Sequence, residues 1–300
     1  APIRTPTGSS PHPPVRKTIP HRALPAGSFG RMSDHYDVRG SGPVLLILPG
    51  GAGHPMGLDD FTARLAERFT VMTYDHLGLA HGQLGKPVEE QSVEWWSDGA
   101  ARALEAVLPA GESAYVFGSS SGAVVTLDLA ARHPDRLRHV VVHESPLVAV
   151  LPDAERQRAM FTEVYEAYRA RGLDAASARM VAGLEERAPT PEEQHRLSDP
   201  ASQPPSPEDE LATPMAVFLT RILLPFISYV PDLAALSAPS PRITVAVGID
   251  SAGQLPYRSA TFLARRTGSA ARRFPGGHLA PLTHPTEFAA RLTETLLPAG

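Results

Sequence analysis

Cysteine is absent from the 300-residue chain. That single absence excludes disulfides, thiolate metal sites and a cysteine nucleophile. Lysine is nearly absent as well: of 28 basic residues only Lys17 and Lys86 are lysines, a bias that reads as G+C-rich coding rather than as a binding feature. Neither sign of charge is in excess, with 28 basic residues against 32 acidic ones and a formal charge of -4. No basic stripe is therefore available for a phosphate backbone, and nucleic acid is not an expected partner. No apolar run approaches the ~20 residues that span a bilayer, and the first residues lack the basic-then-apolar order of a secretory leader. These absences lead to the expectation of a soluble, cytoplasmic protein.

What is present is an ordinary globular composition, 42% hydrophobic and 20% charged, with 31 prolines and 24 glycines. At ~150 residues per domain, the length suggests two domains or one large α/β unit. Residues 1–27 carry seven of the prolines and no hydrophobic period, which reads as an extended tail or strap. From residue 28 the pattern changes. Val44-Leu45-Leu46-Ile47-Leu48 is a continuous apolar run ending in Pro49-Gly50-Gly51-Ala52-Gly53, the signature of a strand buried on both faces of a parallel sheet.

Helices and strands then alternate. Phe61, Leu65 and Phe69 mark one helical face, Thr70 to Tyr74 a strand, and Ser92 an N-cap for a helix reaching Leu108. Ala114 to Phe117 is the next strand, Ala123 to Arg132 a helix stopped by His133-Pro134, and Leu137 to His143 another buried strand. Residues 147–241 are helical and proline-punctuated with no convincing strand, after which Arg242 to Val247, Tyr257 to Arg266, Ala270 to Phe274 and Thr286 to Leu297 restore the alternation. The expected fold class is α/β: a core of residues 28–146 and 242–300, with a mostly parallel sheet flanked by helices, and an inserted all-helical segment over 147–241.

One motif sits where its geometry would matter. Gly118-Ser119-Ser120-Ser121-Gly122 lies between a predicted buried strand and a predicted helix, the setting in which Gly-x-Ser-x-Gly forms a strained turn that lifts the central serine above the sheet. Ser120 is then a candidate nucleophile, and the Ser121 amide, at a helix N-terminus, a candidate oxyanion donor.

With that motif the sequence resembles the α/β-hydrolase family over about residues 28–297, as a serine hydrolase with a helical lid. Leu48-Pro49-Gly50-Gly51 is similar to the family's oxyanion loop, with Pro49 in place of its usual histidine; the resemblance assigns the second oxyanion amide to Gly51 or, failing that, Ala52. Tyr74-Asp75-His76-Leu77-Gly78-Leu79-Ala80-His81-Gly82 resembles the turn after the family's fourth strand, departing from its Arg-Gly-x-Gly-x-Ser ending. Phe274-Pro275-Gly276-Gly277-His278 stands where the family keeps its catalytic histidine, so His278 is the candidate base. His54, His76, His81 and His143 also follow predicted strands but read better as hydrogen-bonded loop histidines.

Two carboxylates compete for the third position. Asp250 follows the strand ending at Val247, the family's commonest place, yet the usual Gly-x-x-Asp spacing from Gly248 falls on Ser251. Glu144 ends the preceding core strand, where some branches of the family place their acid, and is the preferred candidate. The resemblance implies acyl transfer on an ester, lactone or thioester of a small, largely apolar metabolite, with secondary metabolism as the expected setting and with no cofactor and no metal. Met160, Phe161, Tyr165, Tyr168, Met180, Phe218, Phe226 and Tyr229 are candidates for a lid's apolar underside, although helix packing alone would also use them. Carbon–carbon bond hydrolysis or cofactor-free elimination on the same fold, and a low-turnover ligand receptor, are the alternatives. A monomer or homodimer is expected.

Overall fold

The computed structural model describes residues 15–18, 35–51, 57–79, 88–239 and 241–297. Eight strands form one sheet in the order β1-β2-β4-β3-β5-β6-β7-β8. They are β1 (Val15–Thr18), β2 (His35–Gly40), β3 (Val44–Leu48), β4 (Thr70–Asp75), β5 (Ala114–Ser119), β6 (Leu137–His143), β7 (Arg242–Gly248) and β8 (Ala270–Phe274). β2 runs antiparallel to β1 and β4, and every later pairing is parallel. Of the proline-rich segment 1–27 only Val15–Thr18 is described, and it is a strand on the sheet, Val15 opposite Val38 and Thr18 opposite His35.

The apolar run of β3 shows why this sheet forms. All five of its residues are buried, and period-2 alternation sends Val44, Leu46 and Leu48 into one layer and Leu45 and Ile47 into the other. A strand that must satisfy two layers has no polar face, so it needs a helix on each side. On one side pack α1 (Asp59–Leu65), the short α11 (Ala280–Thr283) and the C-terminal α12 (Pro285–Leu296); on the other pack α2 (Val93–Val107), α3 (Ser121–Arg132) and α10 (Leu255–Thr267). Ser92 caps α2 as the spacing predicts, accepting from the Trp95 amide. Under α1 and α12, the rings of Phe61, Phe117 and Phe288 meet edge to face at 5.5–5.8 Å. Each such buried ring contributes about 2–3 kcal/mol.

Between β6 and β7 the chain leaves the sheet for a helical insertion: α4 (Ala154–Arg171), α5 (Leu173–Leu184), α6 (Pro191–Ser198), α7 (Pro214–Val217), α8 (Leu223–Ser228) and α9 (Leu233–Leu236). It has a core of its own, in which Phe161, Val164 and Tyr168 of α4 meet Leu219, Leu223 and Ile227. Phe218–Ile222, between α7 and α8, forms a widened π-type turn. Among the described residues no helix is long and apolar enough to cross a membrane.

Candidate active site

Ser120 stands alone between the last residue of β5 and the first of α3, at φ 53° and ψ -124°. A non-glycine residue at positive φ costs about 1–3 kcal/mol and persists only where its surroundings over-determine it. Here its amide donates to the His143 carbonyl (2.9 Å), and its own carbonyl accepts from the Ala123 amide (2.9 Å). The flanking glycines are obligatory for a different reason, close approach. A Cβ on Gly118 would lie 2.1 Å from Thr126 Oγ1, and one on Gly122 only 2.0 Å from the Leu48 carbonyl oxygen.

Two further loops from the carboxyl edge of the sheet meet this turn. The loop after β8 turns at Gly276 (φ +72°), where a Cβ would collide with Ala280 and His284, and presents His278. His278 Nε2 lies 3.1 Å from Ser120 Oγ and its Nδ1 lies 3.0 Å from Glu144 Oε2. With Glu144 ionised, Nδ1 carries the proton and Nε2 is left to accept from the serine hydroxyl.

Glu144, the residue after β6, is also at positive φ (47°), and its side chain is wholly buried. Its second oxygen, Oε1, accepts from the Gly248 amide (2.8 Å) and from the Ser251 hydroxyl. Burial by itself would raise its pKa. The bond from His278, the neighbouring His143 and His278 imidazoles and the Ser251 hydroxyl outweigh burial and hold the carboxyl down at about 2.

The structure therefore brings Ser120, His278 and Glu144 into one hydrogen-bond chain and leaves Asp250 out of it. Asp250 is exposed, its amide donates to the Gly276 carbonyl (3.0 Å), and its carboxylate has no partner among the described residues. Ser251, which occupies the family's usual acid spacing, is buried and serves Glu144 instead.

Gly51 (φ +60°) accepts a hydrogen bond from Ser121 Oγ (3.1 Å), which ties the β3 loop to the head of α3. Gly50 lies against the serine: a Cβ there would sit 3.0 Å from Ser120 Cβ. Among the described residues neither the Gly51 nor the Ser121 amide has a hydrogen-bond acceptor. Ala52, His54 and His81 fall outside the described residues. His76 bonds Tyr74 (2.8 Å), packs near Trp96 and is not in the cavity wall. His143 is buried beside the site.

Above Ser120 opens a cavity of about 560 Å³. From the insertion it takes Phe161, Met180, Phe218 and Phe226, but not the other four aromatic and sulfur residues expected there. Met160 packs on Gly183, Tyr168 is buried with its hydroxyl on the Asp209 carbonyl, and Tyr229 reaches Asp128 (2.8 Å). Leu219, Leu223 and Ile227 also line the wall. Their i, i+4 stripe was the available sequence signal for this part of the wall.

A mostly parallel sheet with helices on both faces and a strained serine turn at its carboxyl edge defines the α/β-hydrolase fold, and the chain belongs to the α/β-hydrolase family. The model for the family described as serine aminopeptidase, S33, matches residues 41–199. The hydrolase YraK of Bacillus subtilis (strain 168) is 33% identical over 268 residues, covering 87% of this chain and 92% of the relative. Zearalenone hydrolase of Bionectria ochroleuca is 31% identical over 132 residues, 40% of this chain and 49% of its own. Among solved structures, a thermophilic esterase from Thermogutta terrifontis superposes with a TM-score of 0.62 at 21% identity, covering 94% and 97% of the two chains, which shows the shared fold.

Proposed function

We propose that the protein is a serine hydrolase that cleaves an ester, lactone or thioester of a small, largely apolar metabolite through an acyl-enzyme. The observation that carries this reading is the chain Ser120–His278–Glu144, at 3.1 and 3.0 Å, opening into an apolar cavity. Serine is a weak nucleophile until a base takes its proton, and His278 Nε2 is within reach to do so.

In this mechanism Ser120 Oγ attacks the substrate carbonyl as its proton passes to His278. The resulting imidazolium is stabilised by Glu144, which stays ionised throughout because its pKa is held near 2. The amides of Gly51 and Ser121 receive the oxyanion, Ser121 with the dipole of α3 behind it. His278 returns the proton to the leaving alcohol or thiol, and water, activated by the same imidazole, releases the acid. Helices α4 to α9 act as a lid that selects apolar substrates and limits water. The name zearalenone hydrolase and the esterase neighbours agree with this reading.

The test is labelling by a fluorophosphonate together with turnover of p-nitrophenyl esters and lactones. Labelling should map to Ser120, and Ser120→Ala and His278→Ala should each abolish turnover. A folded wild-type protein that neither labels nor turns over any of these substrates refutes the reading.

A further inference from the structure

His143, the last residue of β6, touches every part of the Ser120–His278–Glu144 chain yet has no place in the mechanism above. It is wholly buried. Its carbonyl oxygen accepts the Ser120 amide at 2.9 Å, and its Nδ1 shares a hydrogen bond of 3.1 Å with Ser119 Oγ, the side chain just before the nucleophile. Its ring lies nearly parallel to that of His278, 23° between planes and 6.3 Å between centroids. Behind it the edge contact with Phe288, 5.0 Å between centroids, holds the ring against the aromatic core. Glu144 is its neighbour in the chain.

A leucine or valine here would fill the core equally well, but neither offers a flat face to His278 and a hydrogen-bonding atom to Ser119 at once. The choice of imidazole has one electrostatic hazard, since His278 must become cationic during turnover and a second cation behind it would oppose that step. Burial removes the hazard by pushing the His143 pKa down to about 4, so the ring is neutral at neutral pH; the titratable groups facing it are Glu144 and His278.

We propose that His143 is a positioning residue of this hydrolase: its ring backs the His278 imidazole, while its Nδ1 and carbonyl oxygen fix the Ser119–Ser120 turn. The inference rests on the serine-hydrolase reading above. Two substitutions separate its parts. His143→Asn keeps a hydrogen-bonding atom for Ser119 and loses the ring; His143→Phe keeps the ring and loses that atom.

For each folded variant, kcat per fluorophosphonate-titrated serine should fall about tenfold or more with KM within about twofold of wild type, as expected when reacting groups are misaligned rather than substrate binding lost. The far-downfield proton resonance of the His278 Nδ1–H···Glu144 bond should broaden or shift in both. A kcat within about twofold of wild type with an unchanged resonance overturns the proposal. So does a loss of rate that only tracks the folded fraction. Should neither variant fold, Ser119→Ala tests the same link from the other side: several-fold lower kcat at constant KM supports it, and an unchanged kcat overturns it. If the wild type neither labels nor turns over esters, the hydrolase reading fails, while the resonance still reports whether His143 orders His278.

Discussion

Glu144 and Asp153 both follow β6, and both are held ionised, but by different partners. Glu144 ends the strand inside the core, fully buried, and accepts from a backbone amide, a serine hydroxyl and an imidazole, none of which carries a fixed charge. Asp153 stands at the root of α4 with its side chain 26% exposed, gripped by both terminal nitrogens of Arg258 at 2.8 and 3.0 Å and helped by Arg156 and Gln157. The Arg258 guanidinium and the other donors pull its pKa down against its partial burial. A carboxylate neutralised by a permanent cation is a tether, since its charge is already answered. One surrounded by neutral donors keeps its charge unanswered, for the cation that the proposed mechanism creates on His278. Burial alone does not distinguish these roles; the charge state of the partners does.

The largest effect that follows is on rate. Glu144→Gln removes the charge while keeping the shape, and should lower kcat on p-nitrophenyl esters about 10³- to 10⁴-fold, because the amide cannot answer the imidazolium. Asp153→Asn and Asp250→Asn, assayed alongside by initial rates, should retain most of the wild-type kcat. Full activity in Glu144→Gln with loss in Asp250→Asn would reverse the assignment of the acid and erase the contrast with Asp153.

The sheet was legible because a strand buried on both faces leaves an apolar run, as in Val44–Leu48 and, within β6, Val140–Val142. Ser120 and His278 were legible because glycines mark both turns. The choice between Glu144 and Asp250 was not, because it depends on one left-handed residue at the end of β6 (φ 47°) that directs the carboxylate toward His278. The nearest sequence sign was Ser251 at the usual acid spacing, which reads afterwards as a donor to Glu144. The four-residue helices α7 and α9 carry too few turns to show a period; packing such as that of Val217 and Leu236 into the core forms them. The role assigned to His143 was hidden for the same reason: sequence shows a histidine at a strand end, not what lies against its ring.

Acid should expose a second difference, in stability. Burial lowers the His143 pKa from 6.5 to about 4, so between those values the unfolded chain binds the proton that the folded one refuses. Stability contributed by keeping this group neutral is complete above about pH 6.5 and is lost as pH falls toward 4, on the order of 3 kcal/mol. His139, buried and facing Arg242 and Arg272, is also lowered to about 4 and adds to the same window. Glu144, depressed from 4.5 to about 2, gives up its contribution only below about pH 4.5, and Asp153 lower still. Urea unfolding between pH 4 and 8 should therefore show stability falling before either carboxylate titrates, with a shallower slope in His143→Asn. An unchanged slope in that variant would move the acid sensitivity elsewhere.

The smallest effect concerns the tether. Arg258 lies on α10 of the core, while its partners Asp153 and Glu186 stand at the two ends of the α4–α5 hairpin, Glu186 accepting at 2.8 and 2.9 Å. One core side chain thus pins both feet of the hairpin that brings Phe161, Met180 and Leu184 to the cavity. These groups are only partly buried, so the network should contribute about 1–2 kcal/mol and weaken with salt. Arg258→Gln should lower the melting temperature by a few degrees and remove most of its salt dependence, which melts from low to high NaCl would show. Because the site itself is untouched, kcat should hold while KM for longer acyl chains rises about two- to fivefold as the hairpin loosens. A fall in kcat of the size seen in Glu144→Gln would mean that the tether also shapes the reacting groups, and that the two carboxylates are less separate than their partners imply.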